Sequence, residues 1–101
     1  MTIEYIRYKI PSETRAAFIN SYLKAGESLR ASDYCLGYEL THGEEEPENF
    51  ILRIKWTSSE DHINKFRKSD VFKTFYQDVA PYFGNIQEMK HYDLTEVYWK
   101  K

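Results

Sequence analysis

The stretch from Ile51 to Phe75, ILRIKWTSSEDHINKFRKSDVFKTF, changes periodicity partway along. Its opening alternates: Leu52, Ile54 and Trp56 share one side with the preceding Phe50, as a half-buried strand requires. Thr57-Ser58-Ser59-Glu60 then places Thr57 three residues before Glu60, the spacing of a capping box. In that motif the hydroxyl accepts from a first-turn amide while the glutamate reaches back. Beyond it Ile63 and Phe66, then Val71, Phe72, Phe75, Tyr76 and Val79, continue an apolar helical face, with Ser69-Asp70 as a break and recapping point. The stretch reads as strand, cap and helix. Whether it lines a reactive pocket or only backs a core turns on His62, which sits one helical turn before Phe66.

Toward the amino terminus, Ile3 to Ile10 reads as a first strand. Glu4, Ile6, Tyr8 and Ile10 point one way, and Ile3, Tyr5, Arg7 and Lys9 the other. Pro11-Ser12 offers a break, and Phe18, Ile19, Tyr22 and Leu23 recur at helical spacing from Glu13 to about Ala25. Gly26 is the expected stop, with Leu29 and Ala31 in a short further turn. Cys35 to Leu40 is a second strand, with Leu36, Tyr38 and Leu40 on one face. THGEEEPEN (41–49) joins it to the third strand as a solvated hairpin loop. Pro81 to Asn85 closes the helical region, Ile86 to Tyr92 alternates as a last strand, and LTEVYWKK forms a tail.

The order β-α-β-β-α-β is that of an α+β, ferredoxin-like domain, with a four-stranded antiparallel sheet and two helices on one face. The chain has 101 residues and no visible linker or repeat, so a single domain spans 1–101, with its core at about 2–93 and its tail at 94–101. Apolar or aromatic residues on both strand parities predict burial of the second sheet face against another copy of the chain. An aromatic share of 17% suits such a contact or a pocket wall.

Fourteen basic and sixteen acidic residues give a net charge of −2, so no nucleic-acid or membrane partner is expected. No apolar run reaches the roughly 18 residues needed to cross a bilayer. MTIEYIRYKI alternates instead of forming the apolar region of a signal peptide. With Cys35 as the single cysteine, the expectation is a cytoplasmic protein. An RNA-recognition version of the fold needs glycines on its third strand, where this chain has NFILRIKW; a metal chaperone needs Cys-x-x-Cys. Neither fits.

Trp56, Ser58-Ser59-Glu60 and Ser69-Asp70-Val71-Phe72-Lys73 resemble the antibiotic biosynthesis monooxygenase family of dimeric α+β barrels. So do Cys35-Leu36-Gly37-Tyr38-Glu39-Leu40 and the closing Glu88-Met89-Lys90-His91-Tyr92, and the likeness runs from about residue 2 to 93. It implies a homodimer with sheets packed face to face and a pocket between each sheet and its helices. It also implies a cofactor-independent monooxygenase that combines a small aromatic or quinol-like molecule with O₂, using neither metal nor flavin. A non-catalytic ligand-binding or dimerisation module of the same fold is the alternative, and haem binding or degradation a weaker one. Phe66 stands where quinol-oxidising relatives often carry His and haem degraders Trp. Tyr76 stands near the haem degraders' axial His, and Arg7 at or beside a pocket Asn. None of these types is retained, so haem is not the expected cofactor.

The candidate bases are therefore His62 and His91. An imidazole is neutral above its ordinary pKa of about 6.5 and can then serve as a base toward a phenol. The competing reading places His62 on the solvated first turn of a helix and His91 in a dimer contact. Arg7, Tyr22, Tyr38, Trp56, Phe66, Phe72 and Tyr76 are the candidate pocket residues, although a plain aromatic core and an Arg7–Glu39 or Arg7–Glu88 pair are the simpler account of them. His42 is expected to be solvated, and Cys35 to be a small strand residue.

Overall fold

A computed structural model describes residues 1–101. The strands are β1 (Thr2–Lys9), β2 (Cys35–His42), β3 (Asn49–Trp56) and β4 (Ile86–Asp93), and the helices are α1 (Arg15–Ala31) and α2 (Asp70–Val79). The sheet is antiparallel in the order β2-β3-β1-β4, and both helices cover one face. This is the expected ferredoxin-like β-α-β-β-α-β arrangement. No helix is long and apolar enough to cross a membrane.

The covered face carries Ile6, Tyr8, Leu52, Ile54 and Trp56, all buried, against Phe18, Tyr22 and Leu29 of α1. Phe18 is its hub. Its ring meets Tyr8, Tyr22, Phe50 and Tyr82 edge-on at centroid distances of 4.8, 5.3, 5.1 and 5.1 Å, the geometry that aromatic quadrupoles favour. Two bulges set which side chains reach this face. The β1–β4 register jumps from Arg7↔Glu88 to Tyr8↔Ile86, and β2–β3 from Cys35↔Trp56 to Gly37↔Lys55. The second leaves Leu36 outside the ladder and 47% exposed, so it does not share the inner face of Tyr38 and Leu40 as its parity suggested.

The helices also depart from the periodic reading. Gly26 does not stop α1, which runs through it to Ala31, where the Ser32 amide donates to the Leu29 carbonyl at 3.1 Å. Burial of Ala25, Ser28 and Leu29 outweighs the roughly 1 kcal/mol by which glycine disfavours a helix interior. Glycine is there for clearance. A Cβ at this position would lie 2.8 Å from Tyr38 Cζ, and nearer its hydroxyl, which the Arg30 guanidinium engages. Gly26→Ala should therefore stabilise the chain by about 1 kcal/mol in a Tyr38→Ala background, and by less, or not at all, in the parent. Urea midpoints of the four proteins in the cycle measure the difference; equal gains in both backgrounds would refute the clearance argument.

The outer sheet face has no helix. It presents Tyr5 and Tyr92, in edge contact at 5.5 Å, with Ile51, Arg7, Glu88, Lys55 and an Arg53–Glu39 ion pair at 3.1 Å. Apolar residues do occur on both parities, but charges punctuate this side. It is mixed rather than greasy.

Candidate functional site

The turn between β3 and α2 is built differently from the capping box its sequence suggests. Ser58, not Thr57, caps it: the Asp61 amide donates to Ser58 Oγ at 2.9 Å, while Thr57 Oγ1 donates to Asp61 Oδ2 at 2.6 Å. Asp61–Lys65 then forms a π-helical turn and Phe66–Lys68 a 3₁₀ turn. Ser69 Oγ closes this segment on the Phe66 carbonyl at 2.6 Å and accepts the Phe72 amide at the start of α2, so the expected break and recapping at Ser69 are present. Single π-turns inside helical segments are rare and concentrate at functional sites. This one carries His62.

His62 is buried, not solvated. Its ring stacks on Trp56 at 4.3 Å and 11°, and Phe66, one turn later, meets the same indole at 4.8 Å. His62 and Phe66 do share a face. The surprise lies across the sheet. Glu4, 2% exposed on β1, accepts the Trp56 indole N–H at 3.0 Å through Oε1. His62 Nε2 lies 3.7 Å from that oxygen, and His91 Nε2 lies 3.9 Å from Oε2. His62 Nδ1 and His91 Nε2 are hydrogen-bonded at 2.8 Å. The register places His91 directly opposite Glu4, so β1, β4 and the π-turn converge on one cluster.

Burial sets the protonation of this cluster. It raises the Glu4 carboxyl above its usual range, partly offset by the Trp56 hydrogen bond and the charge of Arg67. It lowers His62 to about 3, with Arg67 and His91 adding to the effect. His91, half-buried, is lowered for the same first reason and by Arg67. Both imidazoles are thus neutral at pH 7. The tautomers that avoid opposing lone pairs have His91 Nε2–H donating to His62 Nδ1, and His62 Nε2–H directed at the carboxylate. Trp56 and His62 then steady Glu4 from two sides.

The cluster opens on a cavity of about 270 Å³ between the sheet and α2, lined by Tyr8, Tyr22, Phe66, Phe72, Tyr76 and Phe83 among others, with Glu4 and His62 at its polar end. Tyr8 and Tyr22 join hydroxyls at 2.5 Å. Burial pushes Tyr8 up to about 12 and Tyr22 higher still, so both remain phenols and hydrogen-bond donors. Arg67, exposed, contributes to the cavity rim.

Of the pocket residues expected from sequence, Tyr22, Trp56, Phe66, Phe72 and Tyr76 line this cavity, together with His62. Arg7 does not. It lies on the outer face opposite Glu88, because β1 alternates and Glu4, Ile6 and Tyr8 take the inner side. Its expected Glu39 partner pairs with Arg53 instead. Tyr38 lines a separate groove with Arg30 and Leu40, since β2 is the far edge strand. His91 stands behind His62 rather than on the cavity wall. His42 is exposed as expected, stacked on Phe50 at 4.3 Å. Sequence reasoning missed Glu4 and Arg67. The available signal was a carboxylate on the greasy parity of β1.

The low pKa of His62 has a testable consequence. Its folded value of about 3 lies below its ordinary 6.5, so below pH 6.5 the unfolded chain binds the extra proton first. Its contribution to stability is therefore complete above pH 6.5 and is lost as pH falls toward 3. Glu4, shifted upward, acts oppositely: its contribution is lost as pH rises from 4.5 toward its folded value. The other charged groups facing His62 are His91 on β4 and Arg67 on the 3₁₀ turn. Imidazole NMR should show His62 neutral at pH 5; a midpoint near 6.5 would mean that its ring is solvated.

Comparison with known proteins agrees with this architecture. The family model of antibiotic biosynthesis monooxygenases matches residues 1–78. Among solved structures, a candidate antibiotic biosynthesis monooxygenase from Bordetella bronchiseptica superposes with a TM-score of 0.81 at 20% identity, covering 93% of this chain and 96% of that one. A candidate of the same kind from Deinococcus radiodurans gives 0.74 at 16% identity, covering 100% and 99%. A Mycobacterium tuberculosis protein gives 0.71 at 16% identity, covering 96% and 98%. No curated protein matches the sequence significantly. These structural likenesses establish a common fold, and the family match establishes more: the chain belongs to the antibiotic biosynthesis monooxygenase family.

Proposed function

We propose that this protein is a cofactor-independent monooxygenase acting on a small aromatic or quinol-like molecule. The observation that carries the proposal is a buried carboxylate–imidazole cluster at the polar end of an otherwise aromatic cavity. An apolar site with a few convergent polar groups is the usual form of a small-molecule pocket. An engineered cavity of about 150 Å³ holds benzene, so about 270 Å³ suits one or two rings.

In this reading a ring hydroxyl gives its proton to Glu4, the group left free to accept once His62 Nε2–H and Trp56 N–H point at it. Burial, which raises its pKa, brings a carboxylate closer to the range useful for a base at neutral pH. His62 steadies the carboxylate, and His91 fixes the His62 tautomer from behind. Arg67 at the rim favours the phenolate, and the aromatic wall excludes water. A hydroquinone then supplies all four electrons that O₂ needs. Two come from its conversion to a quinone and two from oxygenation of a ring C–H, and the second oxygen atom leaves as water.

Oxygen uptake with a panel of hydroquinones, with chelator present, tests the reading. Uptake above the buffer rate is expected; none across the panel would favour the ligand-binding module. We also propose a homodimer through the outer face, where Tyr5, Ile51 and Tyr92 are the apolar contacts, in the cytoplasm, whose reducing conditions suit the free thiol of Cys35. Light scattering at micromolar concentration should give about twice the chain mass, and a clean monomer would remove the barrel.

A further inference from the structure

We propose that Glu4, His62 and His91 form a binding site for a divalent first-row transition-metal ion. One donor atom from each side chain lies within 4.8 Å of the other two. Nitrogen and oxygen ligands sit about 2.0–2.2 Å from such an ion, so ligands of one ion lie up to about 4.3 Å apart. The hydrogen-bonded His62 and His91 nitrogens, at 2.8 Å, and the His91–Glu4 pair, at 3.9 Å, already fall within that span. The third pair, His62 and Glu4, lies within 4.8 Å, and a small change in the Glu4 side-chain torsions closes the remainder.

The surroundings suit ligation as well. The Trp56 indole holds Oε1, which leaves Oε2 on the side of His91 and orients the carboxylate as outer partners of metal ligands do. Glu4 and His91 are fixed opposite each other on adjacent strands, and His62 is fixed by its stack on Trp56. Two imidazoles and one carboxylate select zinc, cobalt, nickel, copper or iron over calcium and magnesium. Three protein ligands leave positions open for water or a ligand. Arg67 is the opposing charge that the site must tolerate. The inference does not rest on the proposed oxygenase. If both hold, an ion bound to Glu4 ties up the proton acceptor, so the loaded protein is the inactive form.

The test uses the full chain, stripped with chelator and dialysed, with no substrate present. Zn²⁺ is titrated by calorimetry and Co²⁺ by its visible absorption. One ion per chain is expected. Glu4→Gln and His91→Ala should each weaken Zn²⁺ binding by at least about 10–100-fold, the loss seen when even outer-shell partners are removed. His42→Ala, away from the cluster, should bind as the parent does. Absence of stoichiometric binding by the parent overturns the proposal, as does parental affinity in the Glu4 and His91 variants. Circular dichroism checks folding, and His91→Ala on the edge strand decides alone if Glu4→Gln does not fold. Because the oxygen-uptake panel runs in chelator, the two proposals fail separately.

Discussion

Glu4→Gln should lower cofactor-free oxygen uptake by about 10²–10⁴-fold, the typical worth of a general base. The amide keeps the shape of the side chain and can still accept the Trp56 indole N–H, so the loss reports proton acceptance rather than collapse of the site. His62→Ala should fall within the same range, because it removes both the stack on Trp56 and the N–H facing the carboxylate. His91→Ala should also suppress turnover, acting through His62, whose tautomer it fixes. A full loss in His62→Ala with an unchanged Glu4→Gln would move the base to the imidazole. Parental rates in all three would remove the cluster from the chemistry.

The second large effect concerns stability. Trp56→Ala should destabilise the fold by about 3–5 kcal/mol, the usual cost of truncating a buried large aromatic. The indole is 1% exposed, packs on both His62 and Phe66, and supplies the one hydrogen bond that Glu4 accepts. Removing it opens a cavity and strands a buried carboxyl at once. Trp56→Phe separates the two effects. It retains most of the packing and loses the donor, so a cost of about 1–3 kcal/mol is expected. Urea unfolding with a constant m-value measures both, and a cost below about 1 kcal/mol for Trp56→Ala would contradict the burial argument.

Local sequence rules failed in this protein where tertiary contacts outbid them. Gly26 carries a helix-stop signal, yet α1 continues because Ala25, Ser28 and Leu29 bury the next turn and Tyr38 needs the space that glycine leaves. Thr57 and Glu60 have capping-box spacing, but Ser58 takes the cap because the helical segment starts one residue later, with the His62 amide on the Ser58 carbonyl, and the Thr57 hydroxyl is engaged by Asp61. Ile63 fits the helical stripe by spacing and is 44% exposed, since the π and 3₁₀ turns rotate the segment before α2 begins. For Arg7, family resemblance points to the pocket and the parity of its own strand to the outer face, where it lies. Strand alternation prevails because the pleat fixes the side of each residue.

The order of elements is legible in the chain alone, because a period of two or of 3.6 is written in neighbouring residues and survives any later rearrangement. It also marked the aromatic wall, through Trp56, Phe66, Phe72 and Tyr76, and the break at Ser69. That Glu4, His62 and His91 meet is a product of the folded packing. They belong to a central strand, a π-turn and an edge strand, and no local pattern links them. Their meeting depends on the register that sets His91 opposite Glu4 and on the Trp56 surface that holds His62. Register is fixed by packing the whole inner face at once, where a one-residue slip would turn every buried side chain outward.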